Sequence, residues 1–157
     1  MNDLHRVEVR FTARKPWTPS SRRLVAWTRV ALVQGGPTAK GRVRLVVSVH
    51  IVGARRSRAL NARFRGKDEP TNVLSFAGAG QLPSGERDLG ELIICAPVLA
   101  REAREQRKSP TAHWAHITIH GVLHLLGMDH QTAREARNME TLETQILETM
   151  GFSNPYG

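Results

Sequence analysis

The sequence predicts an α+β domain: a small mixed, mostly parallel four-stranded sheet packed with about five to six helices, one of which carries histidines. Three observations lead there. Strand-like and helix-like stretches alternate through the first half, as in strand–helix–strand units. Val43 to Val52 is rich in β-branched residues and reads as a central strand. The C-terminal part is helical, and within it HGVLHLLGMDH spaces His120, His124 and His130 at offsets of zero, four and ten.

In chain order, Val7 to Thr12 alternates like a strand. Pro19, Ser20 and Ser21 start a helix whose apolar positions include Leu24, Trp27 and Ala31, and Gly35, Gly36 and Pro37 break it. The Val43–Val52 strand follows, then a short helix through Leu60 and Asn61. Thr71 to Phe76 and Leu89 to Cys95 read as two further strands. AGAGQLPSGERD, residues 77–88, reads as a mobile Gly-rich loop between them. Pro97 suits the first turn of a helix running to about Gln106, with Arg107 and Lys108 at its negative end. Ser109 and Pro110 open the histidine helix, which Gly127 ends. Thr132 and Glu135 form a capping box for a last helix with the apolar stripe Ala136, Met139, Leu142, Ile146 and Met150, closed by Gly151.

The 157 residues suit one domain, taken here as 1–157. The single cysteine, Cys95, excludes an internal disulfide framework and fits a reducing compartment. MNDLHRVEVRF lacks the layout of a signal peptide, and no apolar run approaches a membrane span. A soluble cytoplasmic protein with no membrane association is expected. The net charge of +9 is unevenly spread. Val9 to Lys67 holds fifteen Lys/Arg and no acid, whereas Asp68 to Gly157 holds seven Lys/Arg and twelve acids. Met1 to Glu8 adds −1, so +15 − 5 − 1 gives the total. Such asymmetry favours a surface for phosphate backbones over a generally basic exterior.

On a helix, His120 and His124 lie about 40° apart on one face. The break at Gly127 lets His130 return as a third ligand to one ion. Three protein ligands leave a position open, the pattern of a catalytic Zn²⁺ rather than a closed structural one, although Mn²⁺, Ni²⁺ or Co²⁺ could occupy such a site. Such a metal lowers the pKa of its water to roughly 7. His113 and His116 share the face, but a 116/120/124 triple would spread over ~12 Å, so His116 belongs behind the ligands or at the rim. Asp129 either orients a ligand histidine or serves the turn. Cys95 ends the apolar run LIIC and reads as a core residue rather than a fourth ligand. This spacing is shared with zinc peptidases, yet Gly121 stands where those keep their catalytic glutamate.

HGVLHLLGMDH resembles the HGxLHLxGxDH signature of the YbeY family of single-strand endoribonucleases. LNARFRGKDEPTNVLSF, from Leu60 to Phe76, is similar to the family's second well-marked segment, and LGELIICAPVLAREAREQ and AHWAHITIHG are also similar. Met128 stands where the family more often has tyrosine, and Glu91 where aspartate is usual. The resemblance implies a zincin-like His-bearing helix and one zinc per chain held by His120, His124 and His130. It also implies an essential catalytic arginine at Arg65, and action on ribosomal RNA, including the 3′ end of the 16S rRNA of the small ribosomal subunit. Roles in ribosome assembly and quality control follow from it too; DNA is not an expected partner.

ARRSRALNARFRGK, Ala54 to Lys67, holds six cations and no acid. It reads as a track for an RNA backbone, with Arg55, Arg56, Arg58, Arg63 and Lys67 as substrate-binding residues and Arg65 presenting a planar fork to phosphate. Phe64 could stack a base, although a core role is the ordinary one for a lone aromatic. In a phosphodiesterase the metal and Arg65 would supply the charge stabilisation, and Gly121 would remove bulk beside the ion. The rival readings are a metallopeptidase and a non-catalytic RNA-binding assembly factor with a structural zinc, which Cys95 or His116 would complete.

Overall fold

The computed structural model describes residues 5–36 and 43–156. In chain order they form β1 (Arg6–Phe11), α1 (Ser21–Gly35), β2 (Leu45–Val52), α2 (Ala54–Arg65), β3 (Val73–Gln81), β4 (Arg87–Cys95), α3 (Ala96–Glu105), α4 (Pro110–Leu125) and α5 (Ala133–Thr149). Each strand and helix expected from the sequence is present, with ends moved by a few residues. Pro37, expected to help break α1, lies outside the described residues.

The strands form one mixed sheet in the order β1-β2-β4-β3. β1 and β4 flank β2 in parallel, and β3 closes the far edge antiparallel to β4. β2, LVVSVHIV, is central for the reason its composition gives: every position but Ser48 is buried.

The segment expected as a mobile loop is a hydrogen-bonded hairpin instead. β3 continues to Gln81, β4 begins at Arg87, and the turn is closed by Leu82 N to Glu86 O at 2.8 Å and Gly85 N to Leu82 O at 2.9 Å. The ladder shifts register between Ala77 and Gly80, where the Asp88 carboxylate accepts the Ala79 amide at 3.1 Å. A glycine-rich stretch around such an irregularity carries no alternating apolar pattern, so it reads as loop although it pairs as strand.

α4 positions the site. Ser109 caps it by accepting the Ala112 amide at 3.1 Å, and Pro110 occupies the first turn. From His113 to Leu123 only His120 escapes burial, because the helix is packed between the sheet and the flanking helices α1, α3 and α5. The main core joins Trp27, Leu32, Val47, Ile51, Leu92, Trp114, Ile119 and Ile146. A smaller cluster on the sheet's other face holds Val52, Leu74, Ile93, Cys95 and Val98, with Leu60 and Phe76 packed against it.

Gly121 is needed for this packing rather than for room beside the histidines, which corrects the sequence-based expectation. A Cβ there would lie 2.9 Å from Leu92 Cδ2 and 3.2 Å from Val73 Cγ2. The position that a peptidase gives to its glutamate therefore faces the sheet, and the Gly121 carbonyl accepts the Ser75 hydroxyl at 3.2 Å.

Candidate metal centre

His120 and His124 stand one turn apart at the C-terminal end of α4, with ring centroids 4.7 Å apart. The helix ends in a Schellman motif: Met128 N reaches Leu123 O and Gly127 N reaches His124 O, both at 3.0 Å. Gly127 takes φ = 99°, a conformation that glycine adopts at no steric cost. The reversal swings His130 back, with its ring centroid 5.0 Å from His124 and 5.8 Å from His120. One ring nitrogen from each of the three lies within 4.8 Å of the others. Asp129 serves the turn, since its Oδ1 accepts the His130 amide at 2.7 Å.

The donor set fits a borderline ion such as Zn²⁺: three imidazoles, with no thiolate or carboxylate in the group. Burial, then the nearby His120 and His130, hold the pKa of His124 below its ordinary value. The neutral ring that a metal needs thus persists to lower pH. Cys95 is fully buried in the cluster on the opposite sheet face, and burial pushes its thiol upward. His116 Nε2 is occupied by Glu143 Oε1 and the Tyr156 hydroxyl, each at 3.0 Å. Neither residue joins the three-histidine group among the described residues.

Glu143, which the sequence reading missed, ties this arrangement together. One carboxylate oxygen accepts a hydrogen bond from His120 Nδ1, and the other accepts from His116 and the Tyr156 hydroxyl. Holding His120 by Nδ1 leaves Nε2 as its free nitrogen, the arrangement found behind metal-binding histidines. Glu143 is 1% exposed. Burial opposes its ionisation, but the bonds from His116, His120 and Tyr156 outweigh that and hold the carboxyl at about 2. The signal lay in the stripe of α5: Glu143 falls four residues after Met139 and three before Ile146, where an apolar side chain belongs. Glu143→Gln should weaken zinc affinity by about 10–100-fold, measured by competition with a chromophoric chelator. The stability that the wild-type carboxylate adds is present above about 4.5 and lost as pH falls toward 2. Urea melts of wild type and variant should accordingly converge at acid pH.

A cavity of about 780 Å³ opens beside the histidines. Its walls come from α2 (Phe64, Arg65), β3 and its approach (Asn72–Ala77), and the α4 end with its turn (His120, His124, Asp129, His130). The structure therefore brings Arg65 into one cavity with the three histidines. Arg65 is the last residue of α2, before the left-handed cap Gly66, and among the described residues its guanidinium has no hydrogen-bond or ion-pair partner. Asn72 is braced in the wall by Glu102, which also bonds His113 at 2.9 Å.

The remaining predicted cations do not line the cavity. Arg55, Arg56, Arg63 and Lys67 are exposed on or just after α2. Arg58 is engaged by Asp68 through two bonds of 2.8 and 3.0 Å, a partner that sets it apart from a free track residue. Phe64 is a correction: it belongs to neither apolar cluster, is 54% exposed and faces the cavity.

A mixed four-stranded sheet, with a buried helix bringing three imidazoles to an arginine-bearing cavity, defines a protein organised around a candidate metal centre. The family follows from the sequence: the profile of the endoribonuclease YbeY family matches residues 13–151, and the chain belongs to that family. It is thus an endoribonuclease, a hydrolase of the kind that acts in ribosomal RNA processing. The solution structure of TM1509 from Thermotoga maritima shares the fold, with a TM-score of 0.55 at 21% identity over 92% of this chain and 91% of that one. Among the described residues no helix is long and apolar enough to cross a membrane.

Proposed function

We propose that the chain acts as one domain, a cytoplasmic, zinc-dependent, single-strand-specific endoribonuclease. Its substrate in this reading is ribosomal RNA on or near the small ribosomal subunit, including the 3′ end of the 16S rRNA, with roles in ribosome assembly and quality control. The observation that carries the reading is the convergence of His120, His124, His130 and Arg65 on one cavity.

His120, His124 and His130 hold one zinc ion, which when bound supplies Lewis acidity at the phosphoryl group. Glu143 fixes the ring of His120. Arg65 donates paired hydrogen bonds to the non-bridging oxygens of the scissile phosphate, where charge accumulates during displacement. Arg55, Arg56, Arg63 and Lys67 draw the backbone in from outside the cavity, and Arg58 adds to that field less freely because Asp68 neutralises it. Two observations count against the rivals. The peptidase's glutamate position points into Leu92 and Val73. The fourth ligands that would make a structural zinc, Cys95 and His116, stand apart from the histidine group.

The direct test incubates the zinc-loaded protein with a labelled single-stranded oligoribonucleotide, the same strand in duplex, and casein. Cleavage of the single strand, slow cleavage of the duplex and intact casein are expected. Casein hydrolysis, or binding of RNA without cleavage, would favour a rival.

A further inference from the structure

We propose that Phe64 is a stacking platform for one unpaired base of the RNA, next to the phosphate clamped by Arg65. The inference rests on the nuclease reading above and adds a binding residue that the metal and the arginine do not explain.

A core role for Phe64 is excluded by its surroundings. Phe64 is 54% exposed and joins neither apolar cluster. It is nonetheless held in place. Phe76 packs against it in a T-shaped arrangement, with centroids 5.1 Å apart and planes at 68°, and the exposed Arg63 guanidinium lies over the ring, its Cζ 5.1 Å from the centroid, so a stacking base takes the place of that cation. Phe76 is anchored in turn against the smaller cluster. The result is a large apolar ring, fixed by its neighbours, presented to solvent on the wall of the cavity that holds the three histidines.

Position gives the ring its use. Phe64 precedes Arg65 directly, so a backbone phosphate on the guanidinium leaves the attached base within reach of the same wall. A base offers its π-face to an aromatic side chain only when it has left the helical stack. A single strand supplies such a base freely, whereas a duplex must first be unstacked. Stacking is also tolerant of base identity, since every base has a π-face. Phe64 would thus select for strandedness without reading sequence.

The test measures single-turnover cleavage by the zinc-loaded protein across a concentration series. Its substrates are a single-stranded oligoribonucleotide and a set of the same oligonucleotide carrying one abasic residue at successive positions. Phe64→Ala should raise the half-saturating concentration roughly 5- to 150-fold, the range for one base stacked on an aromatic ring. Phe64→Trp should restore it, and Phe64→Leu, apolar but not planar, should not. One abasic position next to the cleaved bond should cost the wild type as much as Phe64→Ala does, and should cost that variant nothing further. Zinc content and melting temperature should match wild type in all three variants. If wild type cleaves and Phe64→Ala or Phe64→Leu saturates as it does, stacking is overturned and the nuclease reading stands. If wild type neither binds nor cleaves the RNA, both fall.

Discussion

His124→Ala is expected to abolish RNA cleavage and to lower zinc content while leaving a folded protein. His124 sits at the end of α4, partly buried, and its ring meets those of both His120 and His130 edge to face. Losing it leaves two nitrogens, one of them on the exposed His130. A metal contributes several kcal/mol of charge stabilisation in the transition state, and each ~1.36 kcal/mol is tenfold in rate, so a loss beyond about 10²-fold follows. The fold should persist because the core of α4 lies on other residues, Trp114, Ile119, Val122 and Leu123 among them. Metal analysis, circular dichroism and single-turnover cleavage together check this. Full activity in a metal-free His124→Ala or His120→Ala variant would refute the site.

Arg65→Ala should lower single-turnover cleavage at saturating RNA by about 10²–10³-fold, a cost of about 2.7–4 kcal/mol by analogy with removal of one oxyanion-hole donor. Arg65 borders the histidine cavity and its guanidinium has no partner among the described residues, so nothing within them competes with phosphate for it. Arg65→Lys should also be damaging, since an ammonium keeps the charge but not the planar fork. Arg56 is the contrast. It is exposed and outside the cavity, so Arg56→Ala should weaken RNA binding modestly and flatten its salt dependence by about one unit. A salt series on both variants separates the roles. Intact cleavage at saturation in Arg65→Ala would make it one more track cation.

The local rules of the sequence carried a long way here. Caps, helix breaks and the all-apolar run of β2 are short-range signals, and the Gly127 reversal that returns His130 needed only the spacing of three residues. What escaped were effects of tertiary contact. Glu143 meets His120 only because α5 packs across α4, and Tyr156 reaches the same carboxylate from near the chain's C-terminal end. Gly121 looks toward the ion in sequence and toward Leu92 in space. Phe64 looks like core by composition, but the cap at Gly66 ends α2 with that ring at the cavity. The β3–β4 hairpin hid in glycines because its register is set by pairing with β4 rather than by any apolar pattern of its own.

The proposed requirement for a metal on His120, His124 and His130 in cutting RNA can be checked by stripping the purified protein with a chelator, removing the chelator, and titrating zinc back while following cleavage of a single-stranded oligoribonucleotide. Cleavage should vanish with the metal and return in proportion to added zinc until one ion is bound per chain. Undiminished cleavage by protein shown to carry no metal would contradict it.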